Sequence, residues 1–214
     1  MKKNKRIIKQ LKHCYYNDRV EVGIDEAGRG PMFGRVYVGA VILPQNDTFD
    51  YSLMRDSKKL SEKKRIEAYE YIKNNAIEYT SFWMSENEVD DINIYKATHK
   101  AMHSALDKLN TTPDNILVDG NKFYLYVRNG DIIPHACIKG GDNEYCSIAA
   151  ASIVAKVERD NYINKLCDEN PILEERYDLR NNKGYGTKKH LEGIEKYGIT
   201  EWHRKTFGIC KSFT

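Results

Sequence analysis

Two adjacent carboxylates end an apolar run and are followed at once by a turn that contains two glycines and an arginine. The segment reads Gly23-Ile24-Asp25-Glu26-Ala27-Gly28-Arg29-Gly30-Pro31. Glycines let the backbone approach a ligand closely, and arginine supplies fixed donors for phosphate or sugar oxygens. The pattern suits a site that holds a metal on one side and a phosphate or sugar on the other. The simpler interpretation is an ordinary strand end followed by a turn.

Apolar periodicity predicts an α/β protein. We predict strands at 20–25, 35–43, 77–84, 115–119 and 132–138, and helices at 62–75, 94–109, 147–167 and 188–197. Three early strands with short links, followed by helix–strand units, favour a mixed sheet with helices around it. A loop near 170–183 is predicted to separate the main domain from a small helical C-terminal part.

Composition is typical of a globular protein with a hydrophobic core, since 41% of the 214 residues are hydrophobic. The N-terminal segment Met1–Arg6 is basic and has no apolar segment of a secretory signal behind it. This segment is either a phosphate-binding arm or a solvated tail, and we favour the tail. The cysteines form no C-x-x-C pair, so we expect reduced thiols in an intracellular, cytoplasmic protein. They are Cys14, Cys137, Cys146, Cys167 and Cys210.

Basic residues concentrate toward the C-terminus, although the net charge is only +3. Aromatic residues are interleaved with them, which suits a nucleic-acid groove. A solvated basic face explains the pattern equally well. The basic residues are Lys183, Lys188, Lys189, His190, Lys196, His203, Arg204, Lys205 and Lys211, and the aromatic ones are Tyr185, Tyr197, Trp202 and Phe207.

Four acids lie where apolar runs end or helices begin: Asp25, Glu26, Asp119 and Asp142. Each alone is a common turn former. If they converge, two carboxylates about 4 Å apart repel by on the order of 4 kcal/mol at an effective dielectric of roughly 20, so the site requires a cation. Oxygen ligands select Mg²⁺ or Mn²⁺, and two such ions suit phosphodiester hydrolysis. Because side chains alternate along a strand, Asp25 and Glu26 share a site only if the glycine turn ends the regular pleat.

Five blocks of the sequence, in this order and spacing, closely resemble the ribonuclease HII family, the type 2 ribonucleases H. The likeness runs from about Val20 to Phe207. The resemblance implies a ribonuclease H-like fold, with a mixed five-stranded sheet flanked by helices and a small helical C-terminal part. We expect a basic arm at 1–18, a catalytic domain at 19–170 and a substrate-holding region at 171–214. The blocks are 23–31, 56–61, 118–121, 147–160, and 183–187 with His203-Arg204.

The resemblance also implies an activity. The family cleaves the RNA strand of RNA–DNA hybrids and cuts at single ribonucleotides embedded in duplex DNA, leaving a 3′-hydroxyl and a 5′-phosphate. Its catalytic, metal-ligating carboxylates carry onto Asp25, Glu26, Asp119 and Asp142, which would bind two Mg²⁺ or Mn²⁺ ions. The doubled Gly140-Gly141 before the fourth acid departs from the family pattern.

The same resemblance assigns substrate contacts. Recognition of the 2′-hydroxyl, which distinguishes RNA from DNA, falls to Gly28, Arg29 and Gly30. Tyr185 would stack on the sugar beside the ribonucleotide. Phosphate contacts are implied for Lys58, Lys59, Lys156, Thr187, Lys188 and Arg204.

Two other classes of function remain open at this point. One is a catalytically silent hybrid-binding protein, but a pure binder gains nothing from four acids that repel phosphate. The other is a nucleotide-dependent enzyme, but the chain has neither a G-x-G-x-x-G nor a Walker spacing. The Gly-Arg-Gly turn and the lack of a long N-terminal extension favour the type 2 family over ribonuclease HIII. We expect a monomer, and the tail Lys211–Thr214 carries no obvious docking motif for a sliding clamp.

Overall fold

A five-stranded sheet forms the centre of the protein. The computed structural model describes residues 10–46 and 48–214, so the basic segment Met1–Arg6 lies outside the described residues. The sheet has the order β3-β2-β1-β4-β7, while β5 and β6 form a separate hairpin. The strands are β1 (Glu21–Ala27), β2 (Val36–Ile42), β3 (Glu78–Met84), β4 (Asn115–Asp119), β5 (Tyr126–Arg128), β6 (Asp131–Ile133) and β7 (His135–Ile138).

The sheet is mixed, as predicted. Strands β1, β2 and β3 pair antiparallel, whereas β4 runs parallel to both β1 and β7. The register of the parallel pair sets Ile24 opposite Val118. Because parallel strands end at the same edge of a sheet, the residues that follow these two lie side by side.

Helices cover both faces of the sheet. They are α1 (Glu62–Asn75), α2 (Glu86–Ile92), α3 (Ile94–Asp107), α4 (Cys146–Glu169), α5 (Pro171–Tyr177), α6 (Leu179–Asn182) and α7 (Lys188–Tyr197). One core cluster lies between the sheet and α3, and a second lies between the sheet, α1 and α4. No helix in residues 10–46 and 48–214 is long and apolar enough to cross a membrane.

Small residues let α4 pack unusually close to the sheet. A Cβ at Gly23 would come within 2.1 Å of the Ser147 carbonyl carbon, and a Cβ at Gly39 within 2.4 Å of the Ala151 oxygen. The run Ala149-Ala150-Ala151 presents only methyl groups between these points. This close packing brings the N-terminal half of α4, including Ser152, against the end of β1.

Two predictions of secondary structure were wrong, and a further helix was missed. The predicted strand 132–138 is two strands, because Pro134 has no N–H to donate and separates the hairpin strand β6 from β7. The predicted loop near 170–183 contains α5 and α6. Helix α2 was not predicted; its N-terminus is a capping box between Ser85 and Glu88.

The C-terminal helices share a hydrophobic core with the segment that follows β1. Met32 and Phe33 pack in one cluster with residues of α4 to α7, among them Ile163, Leu173 and Ile194. The C-terminal part is therefore joined to the glycine turn by apolar contacts. The domain boundary at 170/171 stays a prediction. The five cysteines are free thiols.

Candidate active site

The four predicted acids come from three elements that end at one edge of the sheet. Asp25 and Glu26 lie near the end of β1, and Asp119 is the last residue of β4. Asp142 lies in the 3₁₀ turn Gly141–Asn143, between β7 and α4. The backbone N–H of Gly141 donates to Asp119 Oδ1 at 2.7 Å, which fixes this turn against the end of β4.

Burial and mutual repulsion disfavour the charged forms of these acids. Asp25 is only 3% exposed. Burial, and then repulsion from Glu26 and Asp119, hold its pKa well above the ordinary value, although the Ser152 side chain and the Glu26 N–H donate to it. Burial likewise raises the pKa of Asp142, with repulsion from Asp56 and Asp119 as further causes. The acids are therefore close enough to act on one another.

The β1 strand stays regular further than predicted. It pairs with β2 as far as Ala27, so Asp25 and Glu26 leave opposite sides of the strand. Both side chains nevertheless interact with Asp119, because repulsion from Asp119 contributes to the raised pKa of each. Glu26 turns toward Arg29 at 3.2 Å, and burial raises its pKa despite this arginine, with repulsion from Asp119 adding to the rise.

Lys58 is a cation that attracts most of these carboxylates electrostatically. Burial disfavours its charged form, but Asp25, Asp142 and neighbouring acids outweigh burial and raise its pKa. Lys59 lies further out, 3.9 Å from Asp56. Positive charge from one half-buried lysine does not balance four converging acids.

The chemistry of the donor set fits hard divalent cations. All four predicted ligands offer carboxylate oxygens, and a cation between them would relieve their repulsion. Within residues 10–46 and 48–214, no three His, Cys, Asp or Glu side chains already have the spacing of a metal site. The acids would therefore have to draw together around an ion.

A cleft of about 320 Å³ opens beside Glu26. It brings together predicted substrate residues from four separate parts of the sequence. Its other lining residues are Ala27, Gly28, Arg29, Gly30, Ser57, Lys58, Ser152, Lys156, Arg159 and Tyr185.

The glycine turn forms one wall of this cleft. Gly28 has a φ of +92°, which favours glycine, and a Cβ at Gly30 would lie 3.6 Å from Tyr185 Cε1. The Tyr185 ring therefore lies against the turn and is 46% exposed. Arg29 also remains half-exposed, at 49% of its side chain. The Arg29 guanidinium and the Tyr185 ring are thus both accessible to a ligand.

The other predicted phosphate contacts differ in position. Lys156 lines the cleft and forms an ion pair with Asp160 at 2.7 Å. Lys188 lies on the exposed face of α7, and the Thr187 hydroxyl caps that helix by accepting from the His190 N–H at 3.4 Å. Lys59 hydrogen-bonds the Asn143 side chain.

Arg204 is not positioned as a surface phosphate contact. Its side chain is completely buried. The guanidinium group donates its hydrogen bonds to backbone carbonyls of the glycine turn and of the residues after it. The prediction that Arg204 contacts phosphate is therefore contradicted, because the guanidinium group lies behind the turn and not in the cleft.

A family of known proteins matches most of this sequence. The sequence profile described as Ribonuclease HII matches residues 22–210. The chain belongs to the ribonuclease HII family. Ribonuclease HII of Bacteroides fragilis is 47% identical over 190 residues, covering 89% of this chain and 90% of that protein. Ribonuclease HII of Bacteroides thetaiotaomicron is 46% identical over 192 residues, covering 90% and 91%. The protein is accordingly a ribonuclease.

Solved structures show the same fold at low sequence identity. The ribonuclease H2 from Pyrococcus horikoshii OT3 has a TM-score of 0.72 at 22% identity, covering 90% of this chain and 96% of that one. The RNase HII of a PCNA:RNase HII complex from Archaeoglobus fulgidus has a TM-score of 0.70 at 22% identity, with 88% and 95% covered. Bst-RNase HIII in complex with Mn²⁺ has a TM-score of 0.59 at 14% identity, with 89% and 71% covered. These likenesses confirm the ribonuclease H-like fold.

Sequence reasoning missed several residues around this ribonuclease HII site. Ser152 interrupts the alanine run of α4 and donates to Asp25. Asp56 caps the 3₁₀ turn Ser57–Lys59 and repels Asp142. A lone serine in an alanine run and an acid just before Ser-Lys-Lys were the available signals. Arg159, which supports the turn from α4, lies within the family block 147–160 but was assigned no role.

Proposed function

We propose that this ribonuclease HII is an endonuclease that hydrolyses the RNA strand of RNA–DNA hybrids and cuts at single ribonucleotides embedded in duplex DNA. The observation that carries the proposal is the convergence of four repelling acids beside a cleft lined by the Gly-Arg-Gly turn and Tyr185. The cut would leave a 3′-hydroxyl and a 5′-phosphate. The protein would act as a monomer in the cytoplasm.

Asp25, Glu26, Asp119 and Asp142 would hold two Mg²⁺ or Mn²⁺ ions. Bound there, the ions would activate a water and stabilise the leaving oxygen of the phosphodiester. The Mn²⁺ complex of the structural relative supports a divalent cation. The Ser152 hydroxyl and the Glu26 N–H both donate to Asp25 and would hold its carboxylate in one orientation.

Gly28, Arg29 and Gly30 would read the 2′-hydroxyl, since their backbone borders the cleft and carries no bulky side chain at either glycine. Tyr185 would stack on the neighbouring sugar, because its ring lies against Gly30 and is partly exposed.

The nucleic-acid backbone would follow the basic groups around the cleft. Lys58 and Lys156 line the cleft itself. Lys59, Thr187 and Lys188 lie further out and would extend the path. We keep the division into a catalytic part at 19–170 and a substrate-holding part at 171–214 as a proposal.

Incubation with duplex DNA carrying one ribonucleotide, with Mg²⁺ or with a chelator, tests the proposal. We expect cleavage only with the divalent ion, at the ribonucleotide, with 3′-hydroxyl and 5′-phosphate ends. An all-DNA duplex of the same sequence is the control and should stay intact. Binding without cleavage, or a cyclic phosphate at the new end, would contradict the proposal.

A further inference from the structure

We propose that the dipeptide His203-Arg204 is a positioning unit that holds the Gly-Arg-Gly turn and Tyr185 in fixed positions relative to each other. The inference rests on the proposed function, in which these two elements read the ribonucleotide. Neither side chain reaches the cleft, because His203 is 1% exposed and Arg204 is completely buried. Both would therefore act through the groups that they hold.

The Arg204 guanidinium binds the turn from behind. It donates to four separate backbone carbonyls of this loop, with N···O distances from 2.7 to 3.2 Å. Five N–H donors in a rigid fork make such multiple contact possible, whereas a lysine offers one point charge. The acceptors are the backbone oxygens of Gly28, Arg29, Pro31 and Gly34.

This arrangement orients the peptide groups of the turn. In a trans peptide the C=O and the N–H point in opposite directions. With the carbonyls of Gly28 and Arg29 held toward Arg204, the N–H groups of Arg29 and Gly30 point away from the guanidinium, toward the cleft side. Two N–H donors in that position suit the oxygen of a 2′-hydroxyl. Arg204 thus sets which polar groups the turn presents.

His203 holds the other element through a hydrogen-bond relay. The Thr200 N–H donates to His203 Nδ1 at 2.9 Å, so His203 carries its proton on Nε2. That nitrogen lies 3.1 Å from His190 Nε2, and His190 Nδ1 lies 2.9 Å from the Tyr185 carbonyl oxygen. The only consistent assignment is His203 Nε2–H to His190 Nε2, and His190 Nδ1–H to Tyr185. Burial lowers the pKa of both imidazoles, so the relay consists of neutral rings.

Backbone hydrogen bonds join the two halves of the unit. The Arg204 N–H donates to the Met32 oxygen at 2.7 Å, and the Met32 N–H donates to the Gly184 oxygen at 3.0 Å. The segment after the turn is therefore bonded both to the dipeptide and to the residue before Tyr185. A shift of any one of these three segments would move the other two.

The test of Arg204 measures binding in an Asp25→Asn background, so that cleavage does not interfere. The dissociation constants are measured for a duplex with one ribonucleotide and for the matched all-DNA duplex. Arg204→Lys keeps the charge but loses the fork, and we expect the preference for the ribonucleotide to fall about tenfold while all-DNA binding changes little. Arg180→Lys is the control, since Arg180 lies in the same C-terminal part but pairs with Asp168 at the surface.

An unchanged preference in Arg204→Lys, or an equal loss of affinity for both duplexes, would overturn the positioning role. A parent protein without any preference would instead refute the proposed reading of the 2′-hydroxyl, and the inference with it. The two failures are therefore distinguishable within one experiment.

The relay has a test that does not depend on Arg204. His203→Leu removes the donor to His190, whereas His203→Gln can still supply an N–H. We expect His203→Leu to lower cleavage at a single ribonucleotide relative to a long hybrid, and His203→Gln to restore part of the ratio. Adding Tyr185→Ala to His203→Leu should change the ratio less than Tyr185→Ala does alone. Full additivity of the two substitutions would contradict action through Tyr185.

Discussion

The guanidinium of Arg159 lies directly against Gly28. A Cβ at position 28 would come within 2.1 Å of Arg159 Nε, and Gly28 also has a φ of +92°. Arg159 itself is fixed, because it is 1% exposed and donates to the Phe33 and Arg35 carbonyls at 3.0 and 3.1 Å. The position therefore requires glycine for two independent reasons.

Gly28→Ala should destabilise the protein more than a positive φ alone explains. The conformation costs an alanine about 1–2 kcal/mol, and the overlap with Arg159 adds about 1–3 kcal/mol. Gly130→Ala is a matched control, since Gly130 has the same φ of +92° and nothing within 4 Å of its Cβ position. Chemical denaturation of both variants measures the difference. Equal losses of stability in the two variants would show that the Arg159 side chain moves away from the methyl group without cost.

The contrast between these glycines shows what sequence can and cannot reveal. Apolar runs and their polar ends predicted the strands, whereas only the family resemblance implied that Asp25 and Asp119 belong to one site. The parallel pairing of β1 with β4, which the structure shows, places the two acids at a common edge. Contacts between residues distant in sequence, such as that of Arg204 with the turn, leave no local pattern. Arg204 was expected to contact phosphate because it falls in one of the family blocks. Pro134 indicated a break in the predicted strand 132–138, because proline has no N–H to donate. The apolar residues on both sides nevertheless favoured one continuous strand.

Mg²⁺ should stabilise the folded protein, because a cation bound among the four acids relieves their repulsion. At 100 times its dissociation constant, a ligand adds about 2.7 kcal/mol to the free energy of unfolding. Asp25→Asn should lose both this gain and cleavage, while hybrid binding stays largely intact. Asp91→Asn, at an exposed acid of α2, is the control and should keep both. Thermal melting with and without Mg²⁺ measures the gain, and full activity of Asp25→Asn would refute the metal assignment.

Acid should destabilise the protein through the buried His203–His190 pair. Burial, with His190 as a further cause, lowers the pKa of His203 to about 3, and burial also lowers that of His190. A group with a lowered pKa stabilises the fold above its unfolded pKa, and this contribution is lost as the pH falls toward the folded pKa. Below about pH 6.5 the unfolded chain binds these protons before the folded protein does. The free energy of unfolding therefore falls by up to about 1.4 kcal/mol per pH unit for each group.

Denaturation curves between pH 7.5 and 5 would measure this slope. The double variant His190→Gln/His203→Gln should have a shallower slope than the wild type. The same slope in the double variant would mean that other groups cause the acid sensitivity.

Binding to nucleic acid should weaken with salt, because the basic cleft displaces counterions from phosphates. The slope of log K against log salt is about −0.9 for each phosphate neutralised on duplex DNA. Lys156→Gln should reduce the magnitude of this slope by about one such contact. Lys73→Gln is a matched control, since Lys73 pairs with Glu70 on α1 much as Lys156 pairs with Asp160. A flat salt response in the wild type would argue against a basic groove.

Tyr185→Ala should impair cutting at a lone ribonucleotide more than cutting of a long hybrid. The ring lies against Gly30 beside the cleft, so its loss removes a stacking surface at one sugar only. Stacking of an aromatic ring on a base is worth about 1–3 kcal/mol by alanine substitution, or roughly 5- to 150-fold in rate or affinity, and we expect the loss of a contact with a sugar to lie at the lower end of this range. Within a long hybrid, other sites of attack compensate when one register is poorly held.

The measurement compares kcat/KM for the two substrates in the variant and in the wild type. Tyr197→Ala is a suitable control, because Tyr197 is also partly exposed, at 42% against 46%, but lies at the end of α7 and does not line the cleft. Tyr185→Phe should behave like the wild type, since stacking needs the ring and not the hydroxyl. Equal losses on both substrates would remove the role of Tyr185 at the RNA–DNA junction, and a loss in Tyr185→Phe would assign that role to the hydroxyl instead.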